Sequence, residues 1–361
     1  SGFLALCSNN LSSELTLPIG KGGSYMNTVL YTGNGSTQSI TGVGFQPDWI
    51  WIKSRTNNEG HWAGDSNRGA YLRLQPNTQG AEYNTGPSGN NYPGVSSFDS
   101  DGFSLGRSDA ANGNGNSNVA WNWRASGSTA TNNNGTVTTT VDANTTSGFS
   151  IVKFTSPSSG SYTLGHGLSS APELVIYKCR GTTSPWWTFY SLVDGSLDYV
   201  ALNAADAGAS DSAGLAVPTS TVFSLVNNYA PTSQTSIAYC FHSVEGYSKI
   251  GKYTGNGNAN GPFIYTGFRP AYVLRKSTSN AEVWSILDKV RSPINVAQDV
   301  LRANSDDAEG SATWSTIDML SNGFKIRASD AATNGNGYTY LYMAFAENPF
   351  VDSSGIPVTA R

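Results

Sequence analysis

Gly44-Phe45-Gln46-Pro47-Asp48-Trp49-Ile50-Trp51-Ile52-Lys53 carries large apolar side chains at odd and even positions alike. Side chains of a strand alternate between two faces, so such a run has both faces covered and belongs in the middle of a sheet. The same form recurs twice. Gly167-Leu168 leads through to Pro172-Glu173-Leu174-Val175-Ile176-Tyr177-Lys178, and Gly267-Phe268-Arg269-Pro270-Ala271-Tyr272-Val273-Leu274-Arg275-Lys276 follows the same pattern.

Outward from this strand the same signals follow in one order. A tryptophan comes next, at Trp62, Trp187 or Trp284, and then a short strand, Phe103-Ser104-Leu105, Phe223-Ser224-Leu225 or Phe324-Lys325-Ile326. Each copy closes on an alternating strand: Val119, Trp121, Trp123, then Ile237, Tyr239, Phe241, then Leu341, Met343, Phe345. Two longer motifs recur at nearly equal offsets. Tyr31-Thr32-Gly33-Asn34-Gly35 returns as Tyr253-Thr254-Gly255-Asn256-Gly257, and the run from Ser108 to Gly115 returns as Ser329 to Gly337. Self-similarity at this scale means that whole units were duplicated.

The recurring elements have period 2 or are short apolar runs, so the fold class is all-β. Roughly 100-residue units with short strands and tight turns predict three tandem β-sandwich repeats, jelly-roll or concanavalin-like or Ig-like. A single fused sheet assembly is the alternative. The expected division is an upstream tail over 1–23, a first repeat over 24–125, a linking strand over 126–147, a second repeat over 148–243 and a third over 244–361. Asn112-Gly113, Asn114-Gly115 and Asn336-Gly337 predict type I′ hairpins, which need a pair of positive φ angles. A short helix is expected only near 296–301.

Charged residues make up 13% of the chain, the formal net charge is −4, and Gly numbers 40. Ser, Thr, Asn and Gly replace the charge. Binding to phosphate backbones needs clustered Lys and Arg, and none is visible, so nucleic acid is excluded as a partner. No run of about eighteen apolar residues marks a membrane span. The chain begins at Ser1 in mid-sequence, so an upstream part is expected. Cys7, Cys179 and Cys240 make neither a disulfide framework nor a metal-ligand spacing, and are expected as buried apolar groups. Cys179 and Cys240 are placed on neighbouring strands, where oxidation is open but not required.

No short catalytic motif occurs, and His61, His166 and His242 belong to no triad pattern. The chain is therefore read as no enzyme. A polysaccharide-degrading tailspike stays open as the remotest alternative, because paired glycosidase carboxylates have no local motif. Asp99, Asp101, Asp109 and Asp330 lie in loops rich in oxygen donors and are the weak calcium candidates; Asx turns explain the same residues without an ion. Ring stacking of aromatics on sugars makes glycans the expected ligand class. Alternation turns the residue before the recurring tryptophan outward. It is His61, Trp186 or Val283, which makes Trp186, with Tyr190 on its face, the candidate ligand-binding pair.

The Tyr-Thr-Gly-Asn-Gly-Ser opening, the Gly-Phe-x-Pro strand, Phe98-Asp99-Ser100-Asp101-Gly102-Phe103-Ser104-Leu105, Val244-Glu245-Gly246-Tyr247-Ser248-Lys249 and Ala344-Phe345-Ala346-Glu347-Asn348-Pro349-Phe350, closing at Pro357-Val358-Thr359-Ala360-Arg361, resemble an uncharacterised C-terminal β-repeat family of tailed-phage virion proteins, often from aquatic or marine phages. Gly2-Phe3-Leu4-Ala5-Leu6-Cys7-Ser8-Asn9-Asn10-Leu11 is similar to the end of a concanavalin-A-like SPRY domain. The resemblance implies a structural protein of the virion, in a tail fibre or appendage, with other virion proteins as partners and no catalytic residues to carry over. The second repeat departs from it, with Phe154-Thr155-Ser156-Pro157 where Tyr-Thr-Gly-Asn stands elsewhere. Host attachment by multivalent binding of a cell-surface glycan or envelope component is the expected function, with a homotrimer expected by analogy with phage fibres. A ligand-free structural spacer or decoration protein is the alternative.

Overall fold

The computed structural model describes residues 22–87 and 92–347. One antiparallel strand order appears three times. In the first stretch it is Met26–Thr32, Ser117–Trp123, Trp49–Ser54, Trp62–Asp65, and in the third it is Ser248–Thr254, Thr339–Ala346, Pro270–Ser277, Ser285–Asp288. The second stretch sets Phe149–Thr155, Thr235–Phe241, Leu174–Cys179 and Trp186–Tyr190 in this order inside an 8-stranded sheet. Residues 126–147, expected as a linking strand, supply two strands to one side of that sheet, Ala130–Asn132 and Thr139–Asn144. The doubly apolar runs are interior strands, and every residue of Trp49–Ser54 and Leu174–Cys179 is buried.

Each of these inner sheets has a smaller companion. Gln38–Thr41, Gly102–Leu105 and Val95–Asp99 form it in the first stretch, and Phe263–Tyr265, Gly323–Ile326 and Ile317–Leu320 in the third. In the second, Ser161–Gly165 pairs with Val222–Val226. The chain is thus all-β, with several antiparallel sheets. Among the described residues no helix is long and apolar enough to cross a membrane.

Three self-contained sandwiches in a row are not what forms. Trp121 and Trp123, Tyr239 and Phe241, and Met343 and Phe345 all enter one apolar core that draws on every stretch. The small interleaved residues, such as Ala120, Ala238 and Ala344, instead face the companion sheet of their own stretch. Trp49 stacks on Trp123 of its own sheet and on Tyr239 of the second stretch, each with ring centroids 4.4 Å apart. Trp123 in turn meets Tyr272 and Phe345 of the third stretch edge-on. An inner sheet therefore has no solvent face: one side closes its own small core, and the other closes the shared one.

Strand pairing also moves the third tryptophan. Lys53, Lys178 and Lys276 stand next to last in the three central strands; Ile52 pairs with Trp62, Tyr177 with Trp187 and Arg275 with Ser285. Trp284 therefore corresponds to His61 and Trp186, one position from where sequence spacing put it. The expected helix near 296–301 is replaced by the strand Asp299–Val300, and the one-turn helices are Asp109–Asn112 and Ala331–Asn334. The Asn-Gly turns are not type I′ either. Among the described residues no asparagine has a positive φ, and Asn112 and Asn334 end those helices.

Candidate functional site

Trp186 and Tyr190 are not exposed: both point into the shared core, at 0% and 2% of their free surface. The expectation of an outward face fails because that face is roofed by the other two stretches. Trp186 Nε1 donates to Gln75 O at 2.9 Å, across the boundary with the first stretch. Its counterpart Trp284 donates to Ala201 O of the second stretch at 3.0 Å. In the first stretch His61 takes this place and meets Ser305 O of the third at 2.8 Å. First to third, second to first, third to second: the links close into a ring.

His61 shows how such a link is tuned. Its Nδ1 accepts from Trp51 Nε1 at 2.7 Å, so Nε2 carries the proton and donates to Ser305 O. Burial, then the charge of Lys53, lowers its pKa to about 3, and the ring stays neutral. Two of the three central-strand lysines repeat the pattern, while Lys53 Nζ donates to Ser54 O and Asn57 O of its own stretch. Lys178 Nζ donates to Gln79 O at 2.9 Å, and Lys276 Nζ to Ala205 O at 3.3 Å, each on the preceding stretch. Burial lowers Lys53, Lys178 and Lys276 to about 8.

Two of the three boundaries carry the same ionic relay. Between the first and second stretches, Arg68 lies 2.5 Å from Asp65 and 2.7 Å from Glu82, and Glu82 lies 2.7 Å from Arg180. Between the third and first, Arg291 lies 2.6 Å from Asp288 and 2.8 Å from Glu309, with Glu309 2.5 Å from Arg55. Each aspartate also accepts from a core ring of the adjoining stretch, Tyr239 Oη at 2.7 Å and Trp121 Nε1 at 3.0 Å. The third boundary has no such relay among the described residues. Tyr190 stands where the aspartates stand, and Gly208 takes the place of the glutamates, donating to Thr278 O as Glu82 and Glu309 donate to Arg180 O and Arg55 O. A Cβ on Gly208 would come 2.5 Å from Tyr190 Oη, so the phenol fills the volume of the missing acid.

The passage from the first to the second stretch is held by two buried carboxylates. Asp48 accepts from Ala125 N at 2.8 Å, and Asp142 accepts from Ser126 N at 2.7 Å and Ser126 Oγ at 2.6 Å. Burial, then the neighbouring Asp142, raises Asp48 to about 6.

The duplicated polar loops are clasps. Asn112 Nδ2 donates to Ser36 O, Gly106 O and Asn34 Oδ1 while its Oδ1 accepts from Asn34 N. Asn334 repeats this on Asn258 O, Ala328 O and Asn256. The four calcium candidates are not brought together. Asp99 accepts from Ser97 and Ser104, Asp101 caps the amides of Gly42 and Gly44, Asp330 accepts from Ala332 N, and Asp109 opens a one-turn helix. Among the described residues no three His, Cys, Asp or Glu side chains gather as metal ligands. Cys179 and Cys240 are buried free thiols on adjoining strands, but Cys240 faces Val175 while Cys179 faces Ser236. Four residues of strand, about 13 Å, separate them, beyond disulfide reach. Cys7 and the residues 2–11 that carry the SPRY resemblance lie outside the described residues, as do 348–361.

A family described as Domain of unknown function (DUF7483) matches residues 21–349. The chain belongs to that family. No curated protein and no solved structure matches. The DUF7483 match runs once through all three stretches, from the first described residues to the last, so the family's unit spans the three together and not one repeat.

Clefts on this DUF7483 ring are shallow. One lined by Val175, Phe189, Leu197 and Phe223 holds about 10 Å³, and another between Met26, Thr28, Ala271 and Lys289 about 40 Å³. Such volumes take a water or two. What the ring does offer is its outer surface, where Phe263 and Tyr265 stand out at 44% and 64% exposure. Sequence reading passed over both, although the duplicated frame contained the signal: Ser39 and Thr41 occupy the same register in the first stretch.

Proposed function

We propose that this chain is a non-enzymatic structural and adhesive segment of a tailed-phage virion protein, in a tail fibre or appendage. The observation that carries the reading is where the chemically capable side chains are used. His61, Lys178, Lys276, Asp65, Asp288 and their arginines all lie inside the boundaries between stretches, bonded to one another or to carbonyls. Such an arrangement builds a rigid body and leaves binding to shallow outer surfaces. Three duplicated sandwich-like repeats, closed into one ring, would give a stiff segment that displays those surfaces at fixed angles.

The sequence resemblance to phage virion repeats supports the setting. Weak contacts to a host-surface glycan gain avidity when several copies sit on one particle, by raising effective concentration and not by new contacts. The plain serine-lined outer sheet of the first stretch, where Ser39 Oγ and Ser104 Oγ bond each other, favours a spacer role for that part. The test is immunogold labelling of intact phage particles with antibody raised against this chain, alongside peptide mapping of purified particles. Label on a tail appendage is the expected result. Particles free of the chain would end this reading.

A further inference from the structure

The third stretch differs from the others in one outward surface. Its companion sheet turns Ile264, Phe324, Ile326, Ile317 and Met319 inward, and Phe263, Tyr265, Lys325, Asp318 and Leu320 outward. Phe263 pairs with Lys325 and Lys325 with Asp318, which makes one row across the sheet; Tyr265, Gly323 and Leu320 make the next. Positions two apart on a strand are about 7 Å apart on the same face, so the two side chains leave the strand as neighbours on that face. Phe263 reaches over Gly323, where a Cβ would stand 2.9 Å from its Cζ. At the matching positions the first stretch has Ser39 and Thr41 and the second has Thr163 and Gly165. The duplicated frame folds with small residues there, so the fold does not need the aromatics.

We propose that Phe263 and Tyr265 form a stacking platform for a neutral hexopyranose glycan, with Lys325 and Asp318 as donor and acceptor for its hydroxyls. The proposal deepens the adhesive reading above and rests on it for its biological setting. The occupant follows from charge and area. Lys325, whose Nζ donates to Gly261 O at 3.0 Å, and Asp318, whose Oδ2 lies 3.4 Å from Arg327 Nε, put donors and an acceptor on one face, which complements a ligand that both donates and accepts, whereas a polyanion would meet Asp318 in a chain whose net charge is −4. The exposed area of the two rings is on the order of 200 Å². A stable protein interface takes about 800 Å² from each partner. Flat aromatic faces with polar groups at the rim match the C–H face and the hydroxyl edge of a sugar ring.

The experiment uses the whole chain on an array of neutral gluco-, galacto- and manno-oligosaccharides, with calorimetry on whichever oligosaccharide binds. The double variant F263S/Y265T restores the residues of the first stretch, and Tyr265→Leu keeps an apolar side chain without a flat ring. Both should melt with the parent chain. Kd is expected to rise at least about tenfold in each, since a stacked ring contributes on that scale. Unchanged binding by either folded variant overturns the platform, as does self-association of the parent chain that F263S/Y265T abolishes. A parent chain that binds no oligosaccharide also overturns it, while particles labelled on an appendage would leave the virion reading standing as a spacer. Binding lost in the variants with particles unlabelled would do the reverse.

Discussion

Asn112 is the residue on which the first clasp turns. Its side chain holds Asn34 Oδ1 and Ser36 O of one turn and Gly106 O of another, and it has no exposed surface. Replacing it with alanine removes the hydrogen bonds of a fully buried amide, which should cost about 3 kcal/mol, readable as a lower denaturant midpoint with an unchanged slope. Asp48 gives a pH signature. Its folded pKa of about 6 lies above the ordinary 3.8, so its contribution to stability is fully present below about pH 4 and is lost as pH rises through 6. Asp48→Asn keeps an acceptor for Ala125 N and removes the titration. The variant should gain about 3 kcal/mol relative to the parent on going from pH 3 to pH 8, measured by denaturant titration at both. An equal difference at the two pH values would show that Asp48 does not titrate in this range.

At the scale of elements, the central strands and the closing strands were legible because a doubly apolar run and a period-2 run each have one sheet placement. What the runs could not show is which of two buried faces meets which core. Trp186 was expected outside because a sheet with one core has an outer face, and this sheet has two cores. The slip of Trp284 by one position had the same root, since tryptophan identity was matched where strand register decides. The ionic relays were not legible either: Glu82 and Arg180, or Arg55 and Glu309, are far apart in sequence and meet only when the ring closes. Their energetics can be checked at Glu309. Glu309→Gln keeps the shape but leaves the fully buried Arg291 with less opposing charge, at a cost of roughly 3 kcal/mol, and salt should alter this little because the pair is shielded from solvent. A loss that disappears in molar salt would mark the relay as a surface pair.

For the whole molecule, a shared core means that no stretch should stand alone. Residues 24–125 by themselves would show Trp49, Trp51, Trp121 and Trp123 to water on one sheet face. Burial of a large apolar side chain is worth about 2–3 kcal/mol, so exposing four tryptophans removes about as much as the whole net stability of an ordinary domain. The isolated segment should be unfolded or aggregated, and the full chain should melt in one calorimetric transition. Three separate transitions, or a soluble and cooperative 24–125 segment, would refute the single core.

The sequence by itself determined the all-β class, the threefold duplication and the identity of the interior strands, because alternation and repetition are local properties of a chain. Closure was decided only in three dimensions. Where aromatics point depends on what covers a sheet, and that cover comes from other stretches of the chain, far away in sequence. The same holds for the polar side chains: His61, Lys178 and Trp284 have no local feature that marks them as links, and each becomes one when a carbonyl of another stretch is brought within hydrogen-bonding distance.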